Sequence, residues 1–339
     1  MSVAICILNY NGSNDTIECL ESIKNNNPNI DGCIFVLDNG SDANDYSNLE
    51  SGLRSMFPDY HTVEINEENA VFDVNDKNLY LFKSRENYGF ARGNNILMRI
   101  AMKSGYEFVL LQNNDTVLVN DSISKLVNFA KLHSDCAVAS TDIRYYDKHD
   151  ETWNAGGYIF AGTRRYNKKK DIIRAKSKGL HFFRVTYITG CFMLIRVDVL
   201  RRIGLLSNKF FFGEEDYDFS MRLKANGFKE YCLLDTYILH KLGQSSERVS
   251  SSESYARKFV HRLNRMIDMR QHFNIIIWHL WTIATFAYLL MRLNMKENIK
   301  GNKSVHYLEK LYTMSLKNNT VDKELFLYLY KKPNDYFVN

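Results

Sequence analysis

Four apolar runs of strand length each end in a cluster of small polar residues, and helical spacing fills the gaps between them. Few architectures accept that alternation, and an α/β layer fold is the first of them. Residues 3–8 run into Asn9-Tyr10-Asn11-Gly12, and residues 33–37 into Asp38-Asn39-Gly40-Ser41. Residues 79–82 lead to Asn87-Tyr88-Gly89, and residues 108–111 to Gln112-Asn113-Asn114-Asp115. Between them, Ile17, Leu20 and Ile23 predict a helix over 13–25 capped by Ser13 or Asn14. A second helix carries Asn94, Ile96, Leu97, Ile100 and Ala101 and stops at Gly105. A helix over 122–133 and a strand over 137–140 follow, and no internal repeat is visible.

Composition narrows the class further. With 339 residues, the chain is one large domain or two ordinary ones. Its 45% hydrophobic content allows a sizeable core and excludes wholesale disorder, and three prolines exclude collagen-like sequence. A net charge of +5 is too mild to indicate a nucleic-acid partner. The six cysteines form no CxxC pair and sit mostly in apolar runs, so they read as reduced, buried groups of a cytoplasmic protein. The N-terminal stretch has no basic leader, and secretion is not expected.

Open α/β sheets place ligands at the carboxyl ends of their strands, where these polar clusters fall. Asp38 could accept a hydrogen bond from a pyrimidine base, although Asp-Asn-Gly-Ser is also a good turn sequence. The segment Asn87-Tyr88-Gly89-Phe90-Ala91-Arg92-Gly93-Asn94-Asn95 opens a helix whose amides, with Arg92, could face an anion. It lacks the P-loop ending and the GxGxxG spacing, so neither an ATPase nor a dinucleotide fold is indicated. Asp115 suits a divalent cation shared with a diphosphate, or it caps a loop. Four carboxylates in Glu214-Glu215-Asp216-Tyr217-Asp218 either complement a helix dipole or supply a general base. His240 is a core histidine or a neutral imidazole ligand.

Two later stretches carry less chemistry. The basic run through Arg164-Arg165 and Lys168-Lys169-Lys170 reads as a solvated loop, and 186–195 as a strand broken at Gly190. A boundary near Gln244 separates residues 1–244 from a helical region, 245–339. There, Arg257, Lys258, Arg262, Arg265 and Arg270 precede an apolar run over 275–291. His279, Thr282, Thr285 and Arg292 share one face of that run, leaving Ile276, Leu280, Ile283 and Leu290 elsewhere. An in-plane amphipathic helix with lipid-attracting basic flanks fits better than a membrane span, and a helix docked on the protein is the alternative.

Taken in order, these motifs, with Thr-Gly-Cys-Phe-Met at 189–193 and the late His240, resemble the family 2 glycosyltransferases. The nearest flavour is the bacterial rhamnosyltransferase-like branch that builds O-antigen and capsule. The resemblance covers about residues 3–245 and implies a GT-A fold, a nucleotide-diphospho-sugar donor and a divalent metal, Mg²⁺ or Mn²⁺. Carried over by position, Asp38 contacts the base with Asn9 and Tyr10 nearby, and Asp115 and His240 serve the metal and diphosphate. Asn87, Gly89, Arg92, Asn94 and Asn114 belong to the donor side, and Gly190 leaves room for sugar or acceptor. Asp216 is the base, with Glu215 beside it. One departure stands out: the first acidic position of the metal motif is Asn113, and an amide is a weaker ligand. The expected reaction is inverting transfer, with dTDP-rhamnose or a UDP-hexose as donor and a lipid-linked glycan acceptor at the inner membrane face. A non-catalytic binding protein of the same fold, resting on Asn113, is the alternative.

Overall fold

The computed structural model describes residues 2–66, 74, 78–242, 251–297 and 299–331; the boundary expected near Gln244 lies outside them. The chain opens with β1 (Val3–Asn9), α1 (Ser13–Asn26), β2 (Gly32–Asn39), α2 (Ala43–Met56), β3 (His61–Glu64), β4 (Leu79–Ser84), α3 (Gly89–Lys103) and β5 (Phe108–Asn113). Then come β6 (Thr116–Leu118), α4 (Ser122–Leu132), β7 (Cys136–Tyr145), β8 (Lys148–Asn154), β9 (Gly157–Phe160), β10 (Thr163–Tyr166), α5 (Lys169–Lys176), β11 (Phe182–Val185) and β12 (Phe192–Arg196). The rest is α6 (Val197–Ile203), α7 (Glu215–Ala225), β13 (Lys229–His240), α8 (Ser251–His272), α9 (Ile275–Lys296), α10 (Asn302–Lys317) and α11 (Lys323–Lys331).

The main sheet runs β11-β13-β7-β12-β5-β1-β2-β4-β3, with β6 added to β13 and β8 to β7. From β5 to β3 all pairings are parallel, and β5, β1, β2 and β4 are buried on both faces, which is why they read as continuous apolar runs, whereas the edge strand β3 is largely exposed. After β1 the chain builds β2 and β4 on one side, then returns to place β5 on the other. The strand order therefore switches between β1 and β5, where Leu8 pairs with Asn113, and a crevice opens beyond their carboxyl ends.

Several local expectations are corrected. The cap of α1 is Gly12, without a side-chain bond; the Ser13 amide donates instead to Asp45 Oδ1 of α2 at 2.9 Å. Helix α2 and strand β3 went unread because 43–56 is polar and β3 is only four residues long. Of the strand expected over 186–195 only the end forms, as β12; residues 186–191 are the loop between β11 and β12, which carries Tyr187, Thr189 and Gly190. The basic run is no solvated loop: it forms the β9–β10 hairpin and α5, and Arg164 is half-buried.

The C-terminal helices share a core with the sheet-bearing part. Tyr187, Phe210 and Tyr217 pack in one apolar cluster with Phe259, Leu263, Trp278, Leu293 and Tyr307. A buried polar clamp reinforces it, in which His272 meets Asp218 at 3.2 Å and Asp268 at 3.6 Å. Those three groups are close enough to hold an ion. However, Arg222 already pairs Asp218 at 2.8 Å, and hydrogen bonds to the Asp218 and Asp268 carboxylates raise His272 to about 9, so charges balance internally.

The basic flanks are mostly committed to the protein. Arg262 bonds Tyr307 and Glu297, Arg265 bonds Glu214, and Arg270 holds the carbonyls of Leu316 and Asn318. Helix α9 docks on the protein through part of the face expected to be polar and leaves the apolar stripe outward. Thr282 turns inward with Trp278, Leu289 and Leu293, and Ile276, Leu280 and Ile283 are exposed.

Candidate active site

A cleft of about 930 Å³ lies at the switch point between β1 and β5, within the range of small-molecule sites. Of the residues singled out from sequence, Tyr10, Asn87, Gly89, Asn94, Asn114, Asp115, Glu215, Asp216 and His240 line it. Thus Asp115, in the turn after β5, and Asp216, in the first turn of α7, share one cavity although 101 positions separate them.

Asn9, Asp38, Arg92 and Gly190 do not line the cleft. Asn9 and Asp38 are fully buried, and the Asn9 amide donates to Asp38 Oδ1 and Asp45 Oδ2, both at 2.9 Å. Thr16 donates to the Asn9 oxygen at 2.8 Å, so this cluster ties β1, β2, α1 and α2 together. Arg92 is exposed on α3. The first two amides of α3 are already engaged, Gly89 N–H with Asn87 Oδ1 at 2.8 Å and Phe90 N–H with the Phe211 carbonyl at 3.3 Å, so neither is free for an anion. Gly190 makes room for a neighbouring ring rather than a sugar: a Cβ there would lie 3.2 Å from Phe90.

Gly89 holds a second constraint. Its φ is +77° and a Cβ would stand 2.2 Å from the Phe211 carbonyl oxygen, so only glycine lets the 211–216 loop close over α3. That loop delivers the acidic start of α7 into the cleft. Glu214 is its N-cap in a left-handed conformation, a placement costing roughly 1–3 kcal/mol for a non-glycine residue. The Arg265 guanidinium bonds its carboxylate and stacks 3.4 Å from the Tyr217 ring centre.

The four carboxylates, alike in sequence, are driven apart by their surroundings. Burial works against charge on Glu214, but Arg265 and then Arg164 outweigh it and hold the group below the usual carboxylate range. Glu215 is buried, one carboxyl oxygen has no hydrogen-bond partner among the described residues, and burial together with the Asp216 charge pushes it up to about 8. It is therefore a neutral acid at pH 7. Asp218 is held low by His272 and Arg222 against its burial.

Asp216 receives the most directed set of contacts. Its Oδ2 accepts from the Tyr187 hydroxyl at 2.7 Å and the Gly190 amide at 3.2 Å. Its Oδ1 takes no hydrogen bond among the described residues, and Arg164 Nη1 stands 3.7 Å away. Arg164 also donates to the Tyr187 oxygen at 3.3 Å. Neither residue was singled out from sequence. Arg164 hid in a basic run and Tyr187 in an apolar one, and only the hairpin's fold brings them to Asp216.

Tyr187, itself held by Arg164, and the Gly190 amide thus fix one carboxylate oxygen and leave the other for a substrate proton. Arg164→Met is expected to lower kcat about 10–100-fold while donor KM changes little, because the carboxylate loses its alignment and not its chemistry. Steady-state kinetics with the donor varied will check this, and a loss confined to KM would contradict it.

Across the cleft, His240 Nε2 and Asp115 Oδ1 are 3.1 Å apart, and the Trp153 ring stands edge-on to the imidazole at 4.8 Å. Burial opposes charge on His240, but Cys191 and Asp115 outweigh it and hold the ring's proton well above the usual histidine range, so a cation bound here would displace that proton. One carboxylate and one imidazole fit a divalent cation that completes its shell with phosphate and water oxygens. Asn113 and Asn114 also line this part of the cleft.

Beneath the site, Glu230 on β13 is buried and accepts from Ser220 at 3.2 Å, and burial pushes it up to about 8 from 4.5. Between those two values the native state keeps a proton that the unfolded chain has released. Stability must fall as pH rises, by up to about 1.4 kcal/mol per pH unit. Glu230→Gln is expected to flatten that fall. Urea midpoints at pH 5, 6.5 and 8 should converge with, then exceed, those of the wild type; parallel curves would refute the assignment.

A family model described as glycosyltransferase like family 2 matches residues 2–265. No curated protein matches the chain. Among solved structures it is similar to the mannosyltransferase PcManGT from Pyrobaculum calidifontis, in complex with GDP-Man and Mn²⁺. That likeness has 14% identity and a TM-score of 0.55, and covers 99% of this chain and 84% of the other, so it is a likeness of fold.

Proposed function

The chain belongs to the glycosyltransferase-like family 2 and has a GT-A fold, and from that premise we propose that it is an inverting glycosyltransferase. The donor is a nucleotide-diphospho-sugar, and Asp216 is the general base. The observation that carries this reading is the presence of Asp216 and the Asp115–His240 pair in one cleft at the strand switch point. Asp216 Oδ1 takes the proton of an acceptor hydroxyl as that oxygen attacks the anomeric carbon and the nucleoside diphosphate departs. Tyr187 and Gly190 hold the other carboxylate oxygen through the exchange. Asp115 and His240 would hold a divalent cation, which supplies positive charge for the leaving diphosphate. Glu215, kept neutral, adds no second negative charge beside the base.

The finer reading is a deoxyhexose or hexose donor, with dTDP-rhamnose first and UDP-hexoses next, and a role in bacterial surface polysaccharide synthesis. The acceptor is a glycan on a lipid carrier, met at the cytoplasmic membrane face. Support for membrane contact comes from α9, which is long and apolar enough to cross a bilayer yet packs one side on the protein. Its free side carries Ile276 (70% exposed), Leu280 (63%) and Ile283 (68%), a stripe at helical spacing that would lie in the interface rather than span it. Vesicle flotation of Ile276→Glu/Ile283→Glu tests this: unchanged partitioning would rule out α9 as the contact.

The function is tested by a thermal-shift screen of nucleotide sugars with and without Mn²⁺. A ligand at about 100 times its Kd stabilises the native state by roughly 2.7 kcal/mol and raises Tm. A donor that raises Tm and is slowly hydrolysed without acceptor supports catalysis; binding with no hydrolysis under any metal would favour a non-catalytic glycan-binding protein.

A further inference from the structure

A second cavity, of about 660 Å³, opens between the β9–β10 hairpin and helices α8 and α9. One wall is cationic. Arg257, Lys258, Arg262 and Arg265 enter it from α8, Arg164 from β10 and Arg292 from α9, and the lining contains one carboxylate, Glu214. The local partners leave that balance positive. Glu214 is taken by Arg265, and Arg262 and Arg292 share the single carboxylate of Glu297. Arg257 has no ion pair among the described residues, and Lys258 rests only over the Tyr255 ring at 5.3 Å. Half-buried like charges at this density repel one another and draw in an anion.

The facing wall is apolar, formed by Trp281, Ala284, Tyr288 and Leu289 of α9. At 100° per residue, Ala284 and Tyr288 sit on the edge between this wall and the exposed stripe through Leu280, Ile283 and Leu290. Tyr288 itself is 54% exposed. The cavity also adjoins the candidate active site, since Arg164, Glu214, Arg257 and His261 line both. A ligand filling it would carry negative charge toward Asp216 and an apolar chain toward the outer face of α9.

We infer that this cavity binds the diphosphate head of a lipid-linked acceptor, with its phosphates among Arg257, Lys258 and Arg292 and its chain passing over Trp281 and Tyr288. The word acceptor rests on the proposed transferase reading; the amphiphile site rests on the cavity alone.

Calorimetry of the full chain with farnesyl diphosphate, farnesol and inorganic diphosphate tests it. Farnesyl diphosphate is expected to bind at least about tenfold more tightly than either fragment, a difference of about 1.4 kcal/mol. Lys258→Glu should weaken it about tenfold, and Tyr288→Ser should weaken farnesyl diphosphate but not inorganic diphosphate. Farnesol binding as well as farnesyl diphosphate would overturn the head-group assignment. Equal binding of inorganic diphosphate would make this an adventitious anion site only. Insensitivity to Lys258→Glu, with displacement by nucleoside diphosphate, would put the probe in the main cleft and overturn the proposal. The two readings fail separately: if no nucleotide sugar shifts Tm but Lys258→Glu still weakens farnesyl diphosphate, the cavity stands and the transferase reading falls.

Discussion

Asp216→Asn is expected to lower turnover by roughly 10²–10⁴-fold while the donor still binds. The substitution keeps the volume of the side chain and leaves an oxygen for the Tyr187 hydroxyl and the Gly190 amide, so the loop and α7 should hold their places. What it removes is the oxygen able to take a proton, and the negative charge facing Arg164 at 3.7 Å. Glu215→Gln is the matched control. Glu215 is already neutral at pH 7, so an amide imitates its resting state and activity should stay within a few-fold. Turnover of both variants, alongside the donor-induced rise in Tm, separates the base from its neighbour. If Asp216→Asn works at near-normal speed, or Glu215→Gln is the dead variant, the assignment of the base is wrong.

Asp115→Ala should fail differently, by abolishing the part of donor affinity that depends on a divalent cation. The wild-type pair offers an oxygen and a nitrogen 3.1 Å apart; after truncation only the imidazole of His240 remains, beside the Trp153 ring. One nitrogen is a poor holder for a hard cation. Calorimetry of the donor with and without Mn²⁺ is expected to give two distinct affinities for the wild type and one, the weaker, for the variant. Turnover should fall by roughly 10²–10³-fold, the scale of losing several kcal/mol of charge stabilisation on the departing diphosphate. Donor binding that responds to Mn²⁺ equally in both proteins would remove Asp115 from the metal site. Asp115→Asn, closer in shape, shows whether an amide serves at this position, a question that Asn113 already raises two residues earlier.

Both predictions depend on a separation of charge states that the fold imposes on one acidic tetrad. Glu214 is ionised because Arg265 reaches it from α8, Glu215 is neutral because it is buried beside the Asp216 charge with no ion pair among the described residues, and Asp218 is paired by Arg222 and His272. Two of those partners come from the C-terminal helices. That region is therefore structural support for the catalytic loop as well as the wall of the second cavity, and cutting it away would uncover Tyr187, Phe210 and Tyr217 and leave Glu214 without Arg265.

What could be read directly from the residues was local and periodic. Strands β1, β2, β4 and β5 announce themselves as apolar runs because both faces of a parallel sheet are covered, and helices α1, α3 and α4 by their apolar spacing. Their polar ends locate the cleft, since strand direction alone places ligands there, and Asp115 follows from that; Asp216 and His240 entered as site residues only through the family resemblance. Helix α2 escaped notice because its buried positions reduce to Leu49 and Leu53.

Whether a polar residue at a strand end faces the cleft or the core was decided only by tertiary structure. Asn9 and Asp38 turned inward to tie four elements together, and Gly190 yielded its space to Phe90. Arg164 went from an unremarkable basic run to within 3.7 Å of the proposed base, and Thr282 from a presumed wet face to a buried one. Periodicity along a chain reports which side of an element meets other atoms, because that is a property of neighbours in sequence. It carries no information on which distant charge arrives there, and the ionisation of a buried group is set by that arrival and by the loss of water around it.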